Sequence, residues 1–191
     1  MSGWGERALV PVLVSVGAYA VGCVVGAYYL VRLRTGQDLR ALGSGNAGAT
    51  NAGHVLGKRA YAVSLLVDAG KGSLVAVSAR ALSASPAVVA SAMVAVVAGH
   101  VWPAQLGFRG GKGAATALGL LIVYDLRVAV TLLACGLLIL ALTRRFEESG
   151  FAALGLAPVV ALAFGKEWTS VTGLVLVVAI VYWAHFARRV Q

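Results

Sequence analysis

Ala8 to Val31 reads ALVPVLVSVGAYAVGCVVGAYYLV, an uncharged run longer than the roughly 20 apolar residues a helix needs to cross a bilayer. Ala18-Tyr19-Ala20 has the look of a leader cleavage site, but Glu6 and Arg7 cancel where a leader is positive, and the run continues to Val31. It reads as a retained span. Outward from it, the charges cut the chain into six further apolar stretches: Ala60 to Ala79, Ala81 to Phe108, Lys112 to Tyr124, Val128 to Thr143, Ser149 to Gly165 and Trp168 to Ala187. The stretch from Lys112 is short and opens among glycines, which fits a partial or tilted crossing. Of 191 residues, 60% are apolar and 12% charged, against about 25% charged in a soluble domain. The predicted fold is an all-α integral membrane protein of about seven transmembrane helices, forming a single domain over residues 1–191.

Sixteen Lys and Arg against seven Asp and Glu give a net charge of +9. Alternate connections hold eleven of the basic residues and the remaining segments four, with Lys71 left inside the second span. Because cytoplasmic loops collect the excess, the N-terminus is expected outside and the C-terminus in the cytoplasm. The charges lie in short connections between apolar runs, which excludes a nucleic-acid arm and a disordered tail. Cys23 and Cys135 each lie within an apolar run, so they read as small core residues rather than a disulfide framework. No internal repeat is visible, and the chain is short for two inverted transporter halves.

The first cytoplasmic connection contains Gly43-Ser44-Gly45-Asn46-Ala47-Gly48-Ala49-Thr50-Asn51. Gly43, Gly45 and Gly48 match G-x-G-x-x-G, with Asp68 twenty residues further on, but the dinucleotide fingerprint needs a preceding strand and a βαβ unit, and membrane helices flank this run. The underlying physics survives: glycines let backbone amides converge, and the hydroxyl of Ser44 and the amides of Asn46 and Asn51 lead into a helix N-terminus that favours phosphate or carboxylate. His54 and Lys58 follow at i and i+4, which predicts one face of the following helix. A polar turn with ordinary positive-inside charge is the alternative.

The third connection, Gly107-Phe108-Arg109-Gly110-Gly111-Lys112-Gly113, is followed by Ala114-Ala115-Thr116. No Ser or Thr follows Lys112, so this is not a Walker A loop. The same logic applies, with glycine amides, a helix dipole and the cations Arg109 and Lys112 facing an anion. A solvated basic turn is the alternative. Two such loops on one membrane face imply two anionic groups, or one group bound between them.

Asp68 and Lys71 stand at i and i+3 inside the second span, where mutual pairing and direct catalysis are both open. His100 lies at the cytoplasmic end of the third span and reads as a structural residue. His185 lies one turn before Arg188 and Arg189; it reads either as a general base near neutral pH or as an interface residue. The three histidines are dispersed, and neither G-x-S-x-G nor H-E-x-x-H occurs, so no metal and no cofactor is expected.

Asp38-Leu39-Arg40, the run from Gly43 to Asn51, the segment from Asp68 to Lys71-Gly72, Gly99-His100 with Pro103, and Phe108 to Thr116 together resemble the bacterial membrane acyl-phosphate:glycerol-3-phosphate acyltransferases. The resemblance implies a seven-helix enzyme of the bacterial inner membrane. It would transfer a fatty acyl group from acyl-phosphate to glycerol 3-phosphate, giving lysophosphatidic acid for phospholipid synthesis, with membrane lipid around it and no nucleic-acid partner. It implies catalytic roles for Ser44 and His185. It also implies phosphate binding by Asn46, Asn51, His54, Lys58, Gly110, Gly111, Lys112, Gly113 and Arg188. His54 stands where the family typically has arginine, with Lys58 supplying a cation one turn later. Arg188 stands at the family's asparagine position, no glutamate follows it through Gln191, and Arg144-Arg145-Phe146-Glu147-Glu148 is unusually acidic. A carrier for a phosphorylated solute, or a divergent relative with another acceptor or a membrane interaction role, are the competing readings.

Overall fold

A computed structural model describes residues 3–83 and 85–187. Among the described residues there is no strand, and ten α-helices carry the fold. They are α1 (Gly3–Gly22), α2 (Gly26–Thr35), α3 (Ala49–Leu56), α4 (Lys58–Leu82), α5 (Pro86–Val101), α6 (Ala114–Tyr124), α7 (Leu126–Thr143), α8 (Phe146–Gly155), α9 (Ala157–Ala163) and α10 (Trp168–Ala187). The C-terminal ends of α1, α5, α7 and α10 and the N-terminus of α6 gather at one end of the bundle, here the loop end. The turns after α4, α6 and α9 lie at the far end.

The expected first span is broken between Gly22 and Gly26, and the ion pair in α4 explains how the break is tolerated. A broken helix in an apolar setting leaves carbonyls and an amide that need partners. The Lys71 ammonium lies 3.0 Å from the Asp68 carboxylate and donates to the carbonyls of Gly22 (2.9 Å) and Val24 (2.6 Å). Asp68 in turn accepts the N–H of Gly26 at 3.2 Å. His100 Nδ1 joins from α5, 2.8 Å from Lys71 Nζ. All three ionisable side chains are buried. The pairing expected of Asp68 and Lys71 is therefore present, and it also stitches α1 and α2 to α4 and α5.

Small residues set the helix spacing, as is usual where lipid offers no hydrophobic drive for association. A Cβ on Gly119 would overlap the Ala69 carbonyl, so α6 and α4 meet backbone to backbone at this point. Val96, Val97, Leu120, Leu121, Leu174 and Val177 fill the centre of the bundle and are almost fully buried. Leu66, Leu133, Leu138 and Leu142 point outward and are exposed, the reverse of a soluble helix and the pattern expected of a lipid-facing coat.

Three expected boundaries shift. Gly57 has a positive φ of 85° and ends α3, so Lys58 opens α4 and does not share a helix with His54. The sixth stretch is α8 and α9, bent by 43°; Pro158 near the start of α9 lacks the N–H that would continue α8. The fourth is α6, whose eleven residues span only about 16 Å. Among the described residues, five stretches are long and apolar enough to cross a membrane, or six with the bent pair counted as one.

Candidate active site

At the loop end, the chain from Asp38 to Asn51 is held by its own side chains. Asn51, 1% exposed, accepts the Ser44 N–H at 2.9 Å, while its amide nitrogen donates towards the carbonyls of Leu39, Leu42 and Asn46. It was expected to bind phosphate. Both ends of its amide are engaged by the loop, an arrangement that shapes the turn presenting Ser44. Ser44 is exposed.

Arg40 ties this loop to the next. Its guanidinium pairs with Asp38 at 2.7 Å, donates to the Leu106 carbonyl at 2.5 Å and lies 5.2 Å from the centre of the Tyr28 ring. The hydrogen bond from Arg40 holds the Asp38 carboxyl below the usual carboxylate range, and the same bond raises Arg40. Both groups stay ionised through the physiological range.

The second loop folds back on the end of α5. Gly111 donates to the His100 carbonyl at 3.1 Å, and Gly110 to that of Val101 at 3.1 Å. A Cβ on Gly111 would overlap the His100 imidazole, which accounts for glycine at this position. Gly113, at φ 86°, then turns the chain into α6.

Between the two loops lies a cavity of about 400 Å3. Ser44, Gly45 and Asn46 line it from the first loop and Phe108, Arg109 and Gly110 from the second; Arg40, Trp102, Trp183 and Ala187 complete it. Asn46 uses its oxygen to accept the Gly48 N–H at 2.8 Å. Its amide nitrogen is buried with no hydrogen-bond partner among the described residues. A buried donor left unpaired costs about 1 to 3 kcal/mol, so Asn46 offers a hydrogen bond ready for an oxyanion. Two guanidiniums and that amide make one part of the cavity anion-seeking. Trp102 and Trp183, their rings 5.0 Å apart, make another part apolar.

Lys112 and His185 stand beside this cavity rather than on its lining. Lys112 forms an ion pair with Glu147 of α8 and lies 5.7 Å from the centre of the Phe151 ring. His185, 3% exposed, stacks on Phe151 at 3.9 Å. His54 and Lys58 are exposed and off the cavity. Arg188 lies outside the described residues. No site role is expected from sequence for Arg40, Trp102, Trp183, Glu147 or Phe151, although the Asp38-Leu39-Arg40 motif and the acidic Arg144 to Glu148 segment contain two of them. Among the described residues, no cluster of His, Cys, Asp and Glu has the makings of a metal site.

The family model for glycerol-3-phosphate acyltransferase matches residues 12–190. This chain belongs to that family. Glycerol-3-phosphate acyltransferase 1 of Desulfitobacterium hafniense is 40% identical over 180 residues, covering 94% of this chain and 89% of the relative. The glycerol-3-phosphate acyltransferase of Thioalkalivibrio sulfidiphilus is 39% identical over 173 residues, covering 90% and 85%. The fold is similar to the crystal structure of PlsY, an integral membrane glycerol 3-phosphate acyltransferase, in its glycerol 3-phosphate form. The TM-score is 0.85 at 28% identity, over 93% of this chain and 88% of that one. The lysophosphatidic acid form of PlsY gives a TM-score of 0.81 at 26% identity, over 92% and 87%. With several apolar helices and this fold, the chain is a multi-pass membrane protein of the acyltransferase family.

Proposed function

We propose that this chain transfers a fatty acyl group from acyl-phosphate to glycerol 3-phosphate, releasing lysophosphatidic acid and inorganic phosphate. The carrying observation is the convergence of the Ser44 loop and the Gly110 loop on one cavity that is cationic on one part and aromatic on another. Both substrates bring a phosphate, and one brings an apolar chain. Family membership and the two ligand forms of PlsY support the same acceptor and product.

The acceptor hydroxyl oxygen attacks the acyl carbonyl carbon, an ester C–O bond forms, and the bond from that carbon to the phosphate oxygen breaks with its electron pair leaving on phosphate. Phosphate departs readily from a mixed anhydride, so the protein chiefly orients the hydroxyl and accepts its proton. Ser44 orients the hydroxyl and relays its proton to His185, and the proton leaves with the released phosphate. Arg40, Arg109, Lys112, the Asn46 amide and the Gly113 N–H hold phosphate oxygens, while Gly110 and Gly111, whose N–H groups are bonded to the end of α5, shape the loop that presents them.

In this reading residues 1–191 act as a single transmembrane domain of seven crossings in the bacterial inner membrane, with the N-terminus outside and the loop end in the cytoplasm. The positive-inside charge split supports that orientation.

Purified protein given acyl-phosphate, acyl-CoA or acyl carrier protein separately, with glycerol 3-phosphate, tests the reaction; lysophosphatidic acid should form with acyl-phosphate, and equal product from acyl-CoA overturns the donor. Gln37→Cys or Gly107→Cys in a background lacking Cys23 and Cys135 should resist membrane-impermeant thiol reagents in intact cells. Labelling from outside reverses the orientation.

A further inference from the structure

At the far end of the bundle, away from the candidate active site, lies a second cavity of about 350 Å3 lined in part by Arg80, Tyr124, Lys166, Glu167 and Ser170. We propose that it binds the phosphate of an anionic phospholipid headgroup from the leaflet at that end.

The first observation is Tyr124, the last residue of α6. It is 5% exposed, and its buried hydroxyl has no hydrogen-bond partner among the described residues. Buried tyrosine hydroxyls normally find one. A phosphate oxygen entering the cavity would accept this O–H.

The second observation is the charge around that ring. Lys166 Nζ lies 5.3 Å and Arg80 Cζ 6.0 Å from its centre. Arg80 donates to the carbonyls of Val123 and Tyr124, each at 2.6 Å, and these neutral acceptors leave its charge uncompensated. Lys166 pairs with Asp125 at 2.6 Å, and Asp125 also pairs with Arg127 at 2.8 Å. Arg127 and Lys166 hold the Asp125 carboxyl well below the usual carboxylate range. Counting Glu167, the cluster holds three cations and two carboxylates. One positive charge remains, matching the single negative charge of a phosphodiester.

The third observation is the rim. Leu82 and Trp168 flank the lining residues and are 67% and 75% exposed. They are apolar groups placed where acyl chains would run, and tryptophan favours the headgroup level of a bilayer.

A soluble phosphate shares the headgroup's chemistry, so the test separates the two. The thermal midpoint of the full-length protein in detergent is measured with added phosphatidylglycerol, phosphatidylcholine or inorganic phosphate, for wild type, Tyr124→Phe and Lys166→Gln. Phosphatidylglycerol should raise the midpoint more than phosphatidylcholine does, and inorganic phosphate should leave it unmoved. Tyr124→Phe should keep or raise the lipid-free midpoint, since it removes an unpaired hydroxyl. Its apparent affinity for phosphatidylglycerol should fall roughly tenfold, the scale of a lost hydrogen bond to a charged group. Lys166→Gln should weaken binding likewise. Equal stabilisation by both lipids, a full response to inorganic phosphate, or an undiminished phosphatidylglycerol response in both variants overturns the proposal.

Discussion

Lys112 of the second loop forms an ion pair with Glu147 of α8, thirty-five residues further along the chain. Any phosphate drawn to Lys112 must therefore compete with a resident carboxylate. The pair is partly exposed, with side-chain exposures of 25% and 41%, and pairs of that kind contribute about 0.2 to 1 kcal/mol. Glu147→Gln should accordingly lower the KM for a phosphate-bearing substrate up to about fivefold, with little change in kcat. A raised KM would show that Glu147 positions Lys112 and does not compete for it.

Removing the ammonium itself should be costlier. A charge-assisted bond at a partly desolvated site contributes about 2 to 3 kcal/mol, so Lys112→Ala should lower kcat/KM by roughly tens to hundreds of fold. Lys112→Arg should rescue in part, because a planar guanidinium does not replace a point charge. Full activity in Lys112→Ala would remove the residue from the site.

His185 and Lys112 share one aromatic neighbour, Phe151. His185→Gln keeps much of the buried volume while removing the base, and should lower kcat by about 100-fold or more. The thermal midpoint should move little, and the acidic limb of the pH–kcat profile should disappear. A large loss of stability with an unchanged pH profile would make the histidine a packing residue.

The helical class and the two glycine loops were legible because long uncharged runs and glycine clusters are local signals. Pairing of Asp68 with Lys71 was legible from spacing, but their grip on the Gly22 to Gly26 break was not, since it joins residues 47 and 49 apart in sequence. His54 and Lys58 misled for a local reason: i, i+4 spacing presumes an unbroken helix, and Gly57 breaks it. The loop-holding bonds of Asn51 were not legible either, because a donor-rich run does not show which of its own carbonyls it will satisfy.

That role of Asn51 is testable apart from substrate binding. Asn51→Asp keeps an acceptor for the Ser44 N–H but removes the NH2 group, with its two hydrogens, that faces three carbonyls. At about 1 kcal/mol per bond, the loop should open often enough to speed proteolysis between Leu39 and Asn51, and kcat/KM should fall at least about tenfold. A rise in KM with unchanged proteolysis would mean that Asn51 contacts substrate directly.

The buried group around Lys71 permits a sharper test, because two roles predict different outcomes. If Lys71 serves only to neutralise Asp68, removing both charges should restore most of what the single Lys71→Met change loses, as is common for buried ion pairs replaced together. The geometry argues otherwise, since Lys71 also supplies the Gly22 and Val24 carbonyls with their donor, and the Gly26 N–H depends on Asp68. Lys71→Met should destabilise by about 2 to 6 kcal/mol, since each of the two carbonyls that lose their donor costs about 1 to 3 kcal/mol. The double variant Asp68→Asn with Lys71→Met should remain within about 1 kcal/mol of the Lys71→Met single variant, as a double-mutant cycle in detergent would measure. Asparagine can still accept the Gly26 N–H, but nothing replaces the ammonium at the two carbonyls. Restoration to near wild-type stability would show that the break in the first span holds without Lys71, leaving the ion pair as its only role.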